Sequence, residues 1–324
     1  MSYQKELAVA LRAVKMAASL CSRVQETLIT VEAIEKKDKS PVTIADLGSQ
    51  AVISMELLGA LPGDSIVGEE EADILRDDRV VCGKVLNLVR DQIETADETQ
   101  MIDAIEFGTR ETDFTKRYWT VDPIDGTKGF LRGEQYAIAL ALVESGSVVL
   151  GVLGCPNFPV SEDRQGCIFS AVKGQGAFML PMDTDQKIKI NVDKLQDPRE
   201  AKFCESVEKA HASHEEHARI SDFLGIAAEP YRIDSQAKYA AVACGNASIY
   251  LRLPRSREYR EKIWDHAAGT IVVSEAGGKV TDFSGNDLDF TLGEKLLNNQ
   301  GILATNGYFH DKALEAIASV VGKV

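Results

Sequence analysis

The sequence predicts a mixed α/β fold in two lobes, and three observations carry that expectation. Residues 3–35 place Leu7, Leu11, Val14, Ala18 and Cys21 at spacings of three and four, the period of an amphipathic helix. Residues 136–143 and 148–153 are two apolar runs parted by Glu144-Ser145-Gly146, which reads as a hairpin. Between the halves lies Cys155-Pro156-Asn157-Phe158-Pro159, the best candidate for a lobe boundary, so two mixed lobes meeting there are expected.

The remaining elements follow in order. Ser40-Pro41 ends the first helix, and a second buries Leu47, Ala51 and Leu58 before Pro62-Gly63. Ser65 to Gly68 is a short strand ending in Glu69-Glu70-Glu71, and residues 72–117 read as an acidic helical excursion. Tyr118 to Val121 favour a strand whose pairing should stop at Asp122, because Pro123 has no N–H to offer a ladder. Residues 167–172 and 177–180 form a second hairpin, and residues 187–191 add a strand. A polar helix at about 209–224 holds His211, His214 and His217 and reads as solvated. Residues 237–244 are a helix, 248–253 a strand, 267–276 a helix closed by Gly277-Gly278, 302–305 a strand and 311–321 a final helix.

At 324 residues with 44% hydrophobic content the chain can bury a large core. Its 36 Lys+Arg against 50 Asp+Glu give a net charge of −14, which excludes nucleic acid and an anionic membrane as general partners. The 6 cysteines show no C-x-x-C pair, so reduced thiols and a cytoplasmic setting are expected. No apolar run is long enough to span a bilayer, and no signal peptide is evident.

The chemistry concentrates in Trp119-Thr-Val-Asp122-Pro123-Ile124-Asp125-Gly126-Thr127. Two carboxylates three residues apart can offer hard oxygen ligands, and the N–H groups of Gly126 and Thr127 suit an anion at a helix start. Single residues have ordinary readings too: Thr43-x-x-Asp46 fits a capping box and Asp265 an N-cap. Glu69, Asp122, Asp125 and Asp265 nevertheless share one setting, where a strand or loop gives way to a turn or helix. Such a group from separated segments suits a divalent-metal phosphatase, and an oxygen-only set favours Mg²⁺.

Four motifs, Ser40-Pro-Val-Thr-Ile-Ala-Asp46, Val67-Gly-Glu-Glu70, Trp119 to Thr127 and Lys262-Ile-Trp-Asp-His-Ala-Ala-Gly269, resemble the lithium-sensitive, Mg²⁺-dependent phosphatases of the inositol monophosphatase superfamily. They occur in family order and cover nearly the whole chain. Lys128-Gly-Phe-Leu-Arg-Gly133, Val207 to His211, Asp234-Ser-Gln-Ala-Lys-Tyr239 and Ile249-Tyr-Leu-Arg252 look like the 3′(2′),5′-bisphosphate nucleotidases within it, including salt-tolerance members of plants and fungi.

The resemblance implies a layered αβαβα sandwich, with an N-terminal α+β lobe of residues 1–157, a C-terminal α/β lobe of residues 158–324 and the active site between them. It implies two or three Mg²⁺ ions held by Glu69, Asp122, the Ile124 carbonyl, Asp125 and Asp265, with Asp122 bridging. Asp46 and Thr127 would orient the attacking water and accept its proton, without a phosphoenzyme. Gly126 and Thr127 would hold the phosphate to be cleaved, and His211, Ser235, Lys238 and Arg252 would line the nucleotide side. The implied substrate is adenosine 3′,5′-bisphosphate, with its sulfated analogue second and inositol 1,4-bisphosphate as a side substrate. The rival readings are an inositol-phosphate phosphatase with the same metal site and a nucleotide sensor without catalysis. Oligomeric state is not legible.

Overall fold

The computed structural model describes residues 2–31, 40–184, 186–207, 214–254, 256 and 258–321. In chain order it begins with helices α1 (Gln4–Val31) and α2 (Ser40–Ala60), strand β1 (Ser65–Gly68), and helices α3 (Asp73–Asp77), α4 (Arg79–Arg90) and α5 (Glu98–Phe107). Next come β2 (Arg117–Asp125), α6 (Thr127–Leu131), β3 (Ala137–Glu144), β4 (Ser147–Ser161), β5 (Arg164–Val172), β6 (Gly176–Pro181) and β7 (Ile188–Ile190). The rest comprises β8 (Phe203–Glu205), α7 (His214–Leu224), β9 (Tyr231–Arg232), α8 (Ala237–Ala243), β10 (Ile249–Arg252), α9 (Ala267–Glu275), β11 (Lys279–Thr281), β12 (Ile302–Thr305) and α10 (His310–Val321). Among the described residues no helix is long and apolar enough to cross a membrane.

Strands β1 to β7 form one sheet in chain order, and a second runs β11-β12-β10-β8-β9. The alternation of β3 shows how the layers assemble. Ile138, Leu140 and Leu142 join one core with residues of α1 and α2, such as Val14 and Leu47. Ala137, Ala139, Ala141 and Val143 face the other way, into a core shared with α8 and α9. Both faces of the sheet are therefore apolar and covered, as period-two geometry requires of a central layer. The second sheet takes Tyr250 and Ala304 into that same core, whereas Phe203, Leu251 and Leu303 meet Ile220, Leu224 and Ile317 of α7 and α10 on its far side. The order is thus helix, sheet, helix, sheet, helix: the αβαβα sandwich. Close approach of the middle layer depends on Gly151, where an added Cβ would lie 2.5 Å from Ile271 Cγ2.

Two expectations about proline fail locally. Pairing of β2 with β3 does not stop at Asp122: the register passes from Asp122↔Ala139 to Asp125↔Ala137, so one extra residue bulges out and the ladder resumes. Pro123 lies in that bulge and need not donate. Likewise Cys155–Pro159, read as a breaker, lies inside β4, where the register against β5 shifts between Cys155 and Pro159. The chain passes residue 157 within a strand, and the first sheet closes only at β7.

Candidate active site

The site begins on one face of α2. Asp46, Ser49 and Gln50 follow the three-and-four spacing that aligns side chains on a helix, and all are buried. Ser49 Oγ donates to the Pro123 carbonyl at 3.0 Å. Gln50 Nε2 donates to the Glu70 carbonyl at 2.7 Å and Gln50 Oε1 accepts from the Glu70 N–H at 2.9 Å. One helix therefore carries Asp46 and anchors both carboxylate loops. Because α2 starts at Ser40, Asp46 lies in its interior and the capping reading is discarded.

Strands β1 and β2 are parallel neighbours, paired from Ser65↔Tyr118 to Gly68↔Val121. Their C-terminal ends consequently deliver Glu69 and Asp122 side by side, close enough for each to act on the other's charge. The bulge brings Asp125 round after Pro123 and Ile124, and Gly126 follows at φ 92°, a left-handed conformation that glycine takes without strain. Asp265 arrives from the loop ahead of α9. Its N-cap is His266, with no side-chain cap bond, so Asp265 is not a cap. Oxygens of Asp122, Asp125 and Asp265 lie within 4.8 Å of one another.

So many acids cannot all be charged comfortably in a low-dielectric pocket. Burial, and then the charges of Glu69, Asp125, Asp265 and Asp46, push Asp122 well above the usual carboxylate range. Burial with Glu70 raises Glu69 to about 7, and burial with Asp125 raises Asp265 to about 6. Asp46 is raised by burial, then by Glu70 and Glu69. Asp125 is raised chiefly by burial, while Lys238, Arg252 and the Gln236 N–H pull it down. Asp122 Oδ1 is buried with no hydrogen-bond partner. An orphaned carboxylate oxygen amid repelling acids, with oxygen donors only, fits a hard divalent cation such as Mg²⁺.

From Asp125 a cleft of about 320 Å³ opens past Gly126, Thr127, Ser235, Lys238 and Arg252. A Cβ on Gly126 would stand 3.0 Å from Ser235 Cβ, so this glycine lets the turn lie against the cleft wall. Lys238 is buried, with its ammonium 5.4 Å from the centre of the Tyr250 ring. Burial lowers its pKa and Asp125 opposes the drop. Arg252 Nε donates to Glu261 Oε1 at 2.9 Å, and Nη2 lies 3.8 Å from Asp265 Oδ2. His211 lies outside the described residues. His217, expected on a solvated helix, is instead buried and lines the cleft, with Nδ1 at 3.5 Å from Glu205.

Sequence reasoning missed the polar residues behind the cleft wall. Tyr239 OH and His266 Nδ1 lie 2.7 Å apart, and His266 Nε2 is 3.3 Å from Glu261, which holds Arg252. Gln236, next to the predicted Ser235, touches both Asp125 and the Asp265 loop. Glu261 and His266 stand close to Asp265 in the chain, which is the one signal that could have drawn notice.

Similar proteins agree with this geometry. The inositol monophosphatase family model matches residues 2–323. A 3′(2′),5′-bisphosphate nucleotidase of Schizosaccharomyces pombe is 41% identical, covering 100% of this chain and 98% of its own. One of Oryza sativa is 45% identical over 98% of this chain and 95% of its own. An inositol monophosphatase structure from Anabaena superposes with a TM-score of 0.64 at 21% identity, covering 99% of this chain and 98% of that one, a likeness of fold. Layers, carboxylate loops and relatives converge: the chain belongs to the inositol monophosphatase family.

Proposed function

We propose that this protein is a Mg²⁺-dependent 3′(2′),5′-bisphosphate nucleotidase that converts adenosine 3′,5′-bisphosphate to AMP and phosphate, with the 3′-phosphoadenylyl sulfate analogue as a second substrate. The observation that carries the reading is the placement of charge. Acids crowd around Asp122 and Asp125, and the cleft leading away from them carries Lys238 and Arg252. In a chain of net charge −14, two cations at that spot suit a second anionic group on the substrate. The nucleotidase relatives support the same substrate class.

Glu69, Asp122, Asp125, Asp265 and the Ile124 carbonyl would hold the metal, which when bound neutralises phosphoryl charge and acidifies a water. Gly126 and Thr127 offer N–H groups to the phosphate. Thr127 orients the attacking water and Asp46 takes its proton; the water oxygen bonds to phosphorus as the P–O3′ bond breaks, and the leaving ribose oxygen takes up a proton from solvent to become the hydroxyl. Asp46, Glu69, Asp122, Asp125 and Thr127 come from residues 1–157, and Ser235, Lys238, Arg252 and Asp265 from residues 158–324, consistent with a site between two lobes. All six cysteines are free, which suits a reducing compartment such as the cytoplasm.

The test is phosphate release from adenosine 3′,5′-bisphosphate and from inositol 1-phosphate, with Mg²⁺ titrated and lithium added. Metal-dependent, lithium-inhibited release from the nucleotide is expected. Preference for inositol 1-phosphate would sink the substrate assignment, and tight nucleotide binding without turnover would indicate a sensor.

A further inference from the structure

We propose that Gln236 is a positioning residue that sets the separation between Asp125 and Asp265, and so tunes metal affinity without touching metal or substrate. The inference rests on the metal site described above. Gln236 is buried, and its three hydrogen bonds go to Asp125 and to the backbone flanking Asp265. Its backbone N–H donates to Asp125 Oδ2 at 2.5 Å. Its side-chain Nε2 donates to the Trp264 carbonyl at 2.8 Å, and Oε1 accepts from the Gly269 N–H at 3.1 Å. Those two anchors bracket Asp265 in the chain, one residue before it and four after.

The physical need is clear at α9. The first N–H groups of a helix lack intrahelical acceptors, and His266 provides no side-chain cap. The Gln236 amide caps one of them from another element. Gly269 permits the approach, because a Cβ there would sit 2.2 Å from the Tyr239 ring, so α8 lies directly against α9. Ser235, at φ 66°, turns the chain left-handed just before Gln236, and its Oγ accepts from the Ala237 N–H at 3.2 Å. One residue thus fastens Asp125 of β2 through its backbone N–H and the backbone on either side of Asp265 through its side-chain amide. The acids repel one another, so without that tie the two loops are free to separate.

The test is titration of the metal-free full-length protein with Mn²⁺, read by the free Mn²⁺ paramagnetic signal, beside a thermal melt. Gln236→Met keeps the volume and the backbone N–H but leaves the Gly269 N–H and the Trp264 carbonyl unpaired. Its Mn²⁺ dissociation constant should rise ~10–100-fold, the usual effect of losing a group that orients metal ligands. Gln236→Glu keeps an acceptor for Gly269 but sets lone pairs against the Trp264 carbonyl, and should fall between. At saturating Mg²⁺ the KM for the nucleotide should stay near the unsubstituted value, because neither cleft cation is altered. Unchanged Mn²⁺ affinity in a folded variant overturns the proposal. Should Gln236→Met fail to fold, Gln236→Glu decides by the same measure. If the unsubstituted protein binds no Mn²⁺, the inference falls with the metal site; if it binds Mn²⁺ without hydrolysing the nucleotide, only the proposed activity falls.

Discussion

Gln50 and Glu70 exchange two hydrogen bonds, side-chain amide to backbone peptide, at 2.7 and 2.9 Å. The pairing fixes the peptide that follows Glu69, so the orientation of that carboxylate is set from α2 and not from its own strand. Room for the amide comes from Gly68, where a Cβ would lie 2.6 Å from Gln50 Nε2. Gln50→Leu should therefore cost about 2 kcal/mol for the backbone groups left unpaired, and should weaken Mg²⁺ binding as well. Gly68→Ala should do the same by displacing Gln50. Urea unfolding and metal titration of both variants check this; a loss of stability with unchanged metal affinity would separate Gln50 from the site.

Removal of one acid from the group around Asp122 should stabilise the metal-free protein. Asp122 is buried and crowded by four acids, and Asn keeps its size while removing its charge. In EDTA, Asp122→Asn should melt above the unsubstituted protein. With Mg²⁺ the order should reverse, since ligand binding stabilises only the form that can take the metal. A variant less stable under both conditions would mean that the carboxylates are not in mutual repulsion.

The same crowding fixes a pH dependence. Glu69 rises from 4.5 to about 7, and Asp265 from 3.8 to about 6. A carboxyl with a raised folded pKa binds more protons folded than unfolded, so its contribution is present at low pH and is lost as pH rises through the folded value. Metal-free protein should accordingly lose melting temperature between about pH 4.5 and about pH 7 relative to the Mg²⁺-loaded protein. Parallel melting curves with and without metal would contradict the assignment of Glu69 and Asp265 to one metal site.

Much of this was legible in the sequence because it depends on short-range signals. The hairpin at Ser145-Gly146, the strand ahead of Asp122 and the helix closed by Gly277 each follow from a few adjacent residues. The misread features depend on partners far along the chain. Pro123 looks like a strand terminator until β3 resumes pairing at Asp125, and Pro156 breaks nothing where the β4–β5 register already shifts. Strands β8, β9 and β11 have two or three residues each and carry too little pattern to detect. His217 reads as solvated until Phe203 and Glu205 cover it. The carboxylates of the candidate site announce themselves by chemical type, whereas Gln50, Gln236 and Glu261 acquire meaning only from what they touch.

Arg252 illustrates that last point and yields a kinetic prediction. Glu261 is held down to about 2: burial pushes it up, but the hydrogen bond and charge of His266 and the Arg252 guanidinium outweigh that. The acid is therefore ionised at neutral pH and aims Arg252 along the cleft. Glu261→Gln keeps the shape and loses the charge, so Arg252 should turn toward Asp265, 3.8 Å away. KM for the bisphosphate should rise ~10-fold, about the worth of one charge-assisted hydrogen bond, with kcat changed less. Steady-state kinetics decide, and an unchanged KM would remove Arg252 from the substrate side.

His310 provides a titration of opposite sign, remote from the site. Its Nε2 lies 2.9 Å from Thr281 Oγ1 and its Nδ1 2.9 Å from Thr305 Oγ1, joining α10 to β11 and β12. Burial, then the charge of Lys279, lowers its pKa from 6.5 to about 4, with Asp311 opposing. The folded protein thus binds fewer protons at this ring than the unfolded chain does between those values. Its contribution is complete above pH 6.5 and is lost as pH falls toward about 4. His310→Gln has no such proton to exclude, so the stability difference between the two proteins should shrink steadily on acidification across that window. Melting curves of both in Mg²⁺ buffer test it, and a difference that stays constant with pH would show that the ring accepts a proton without disturbing the two threonines.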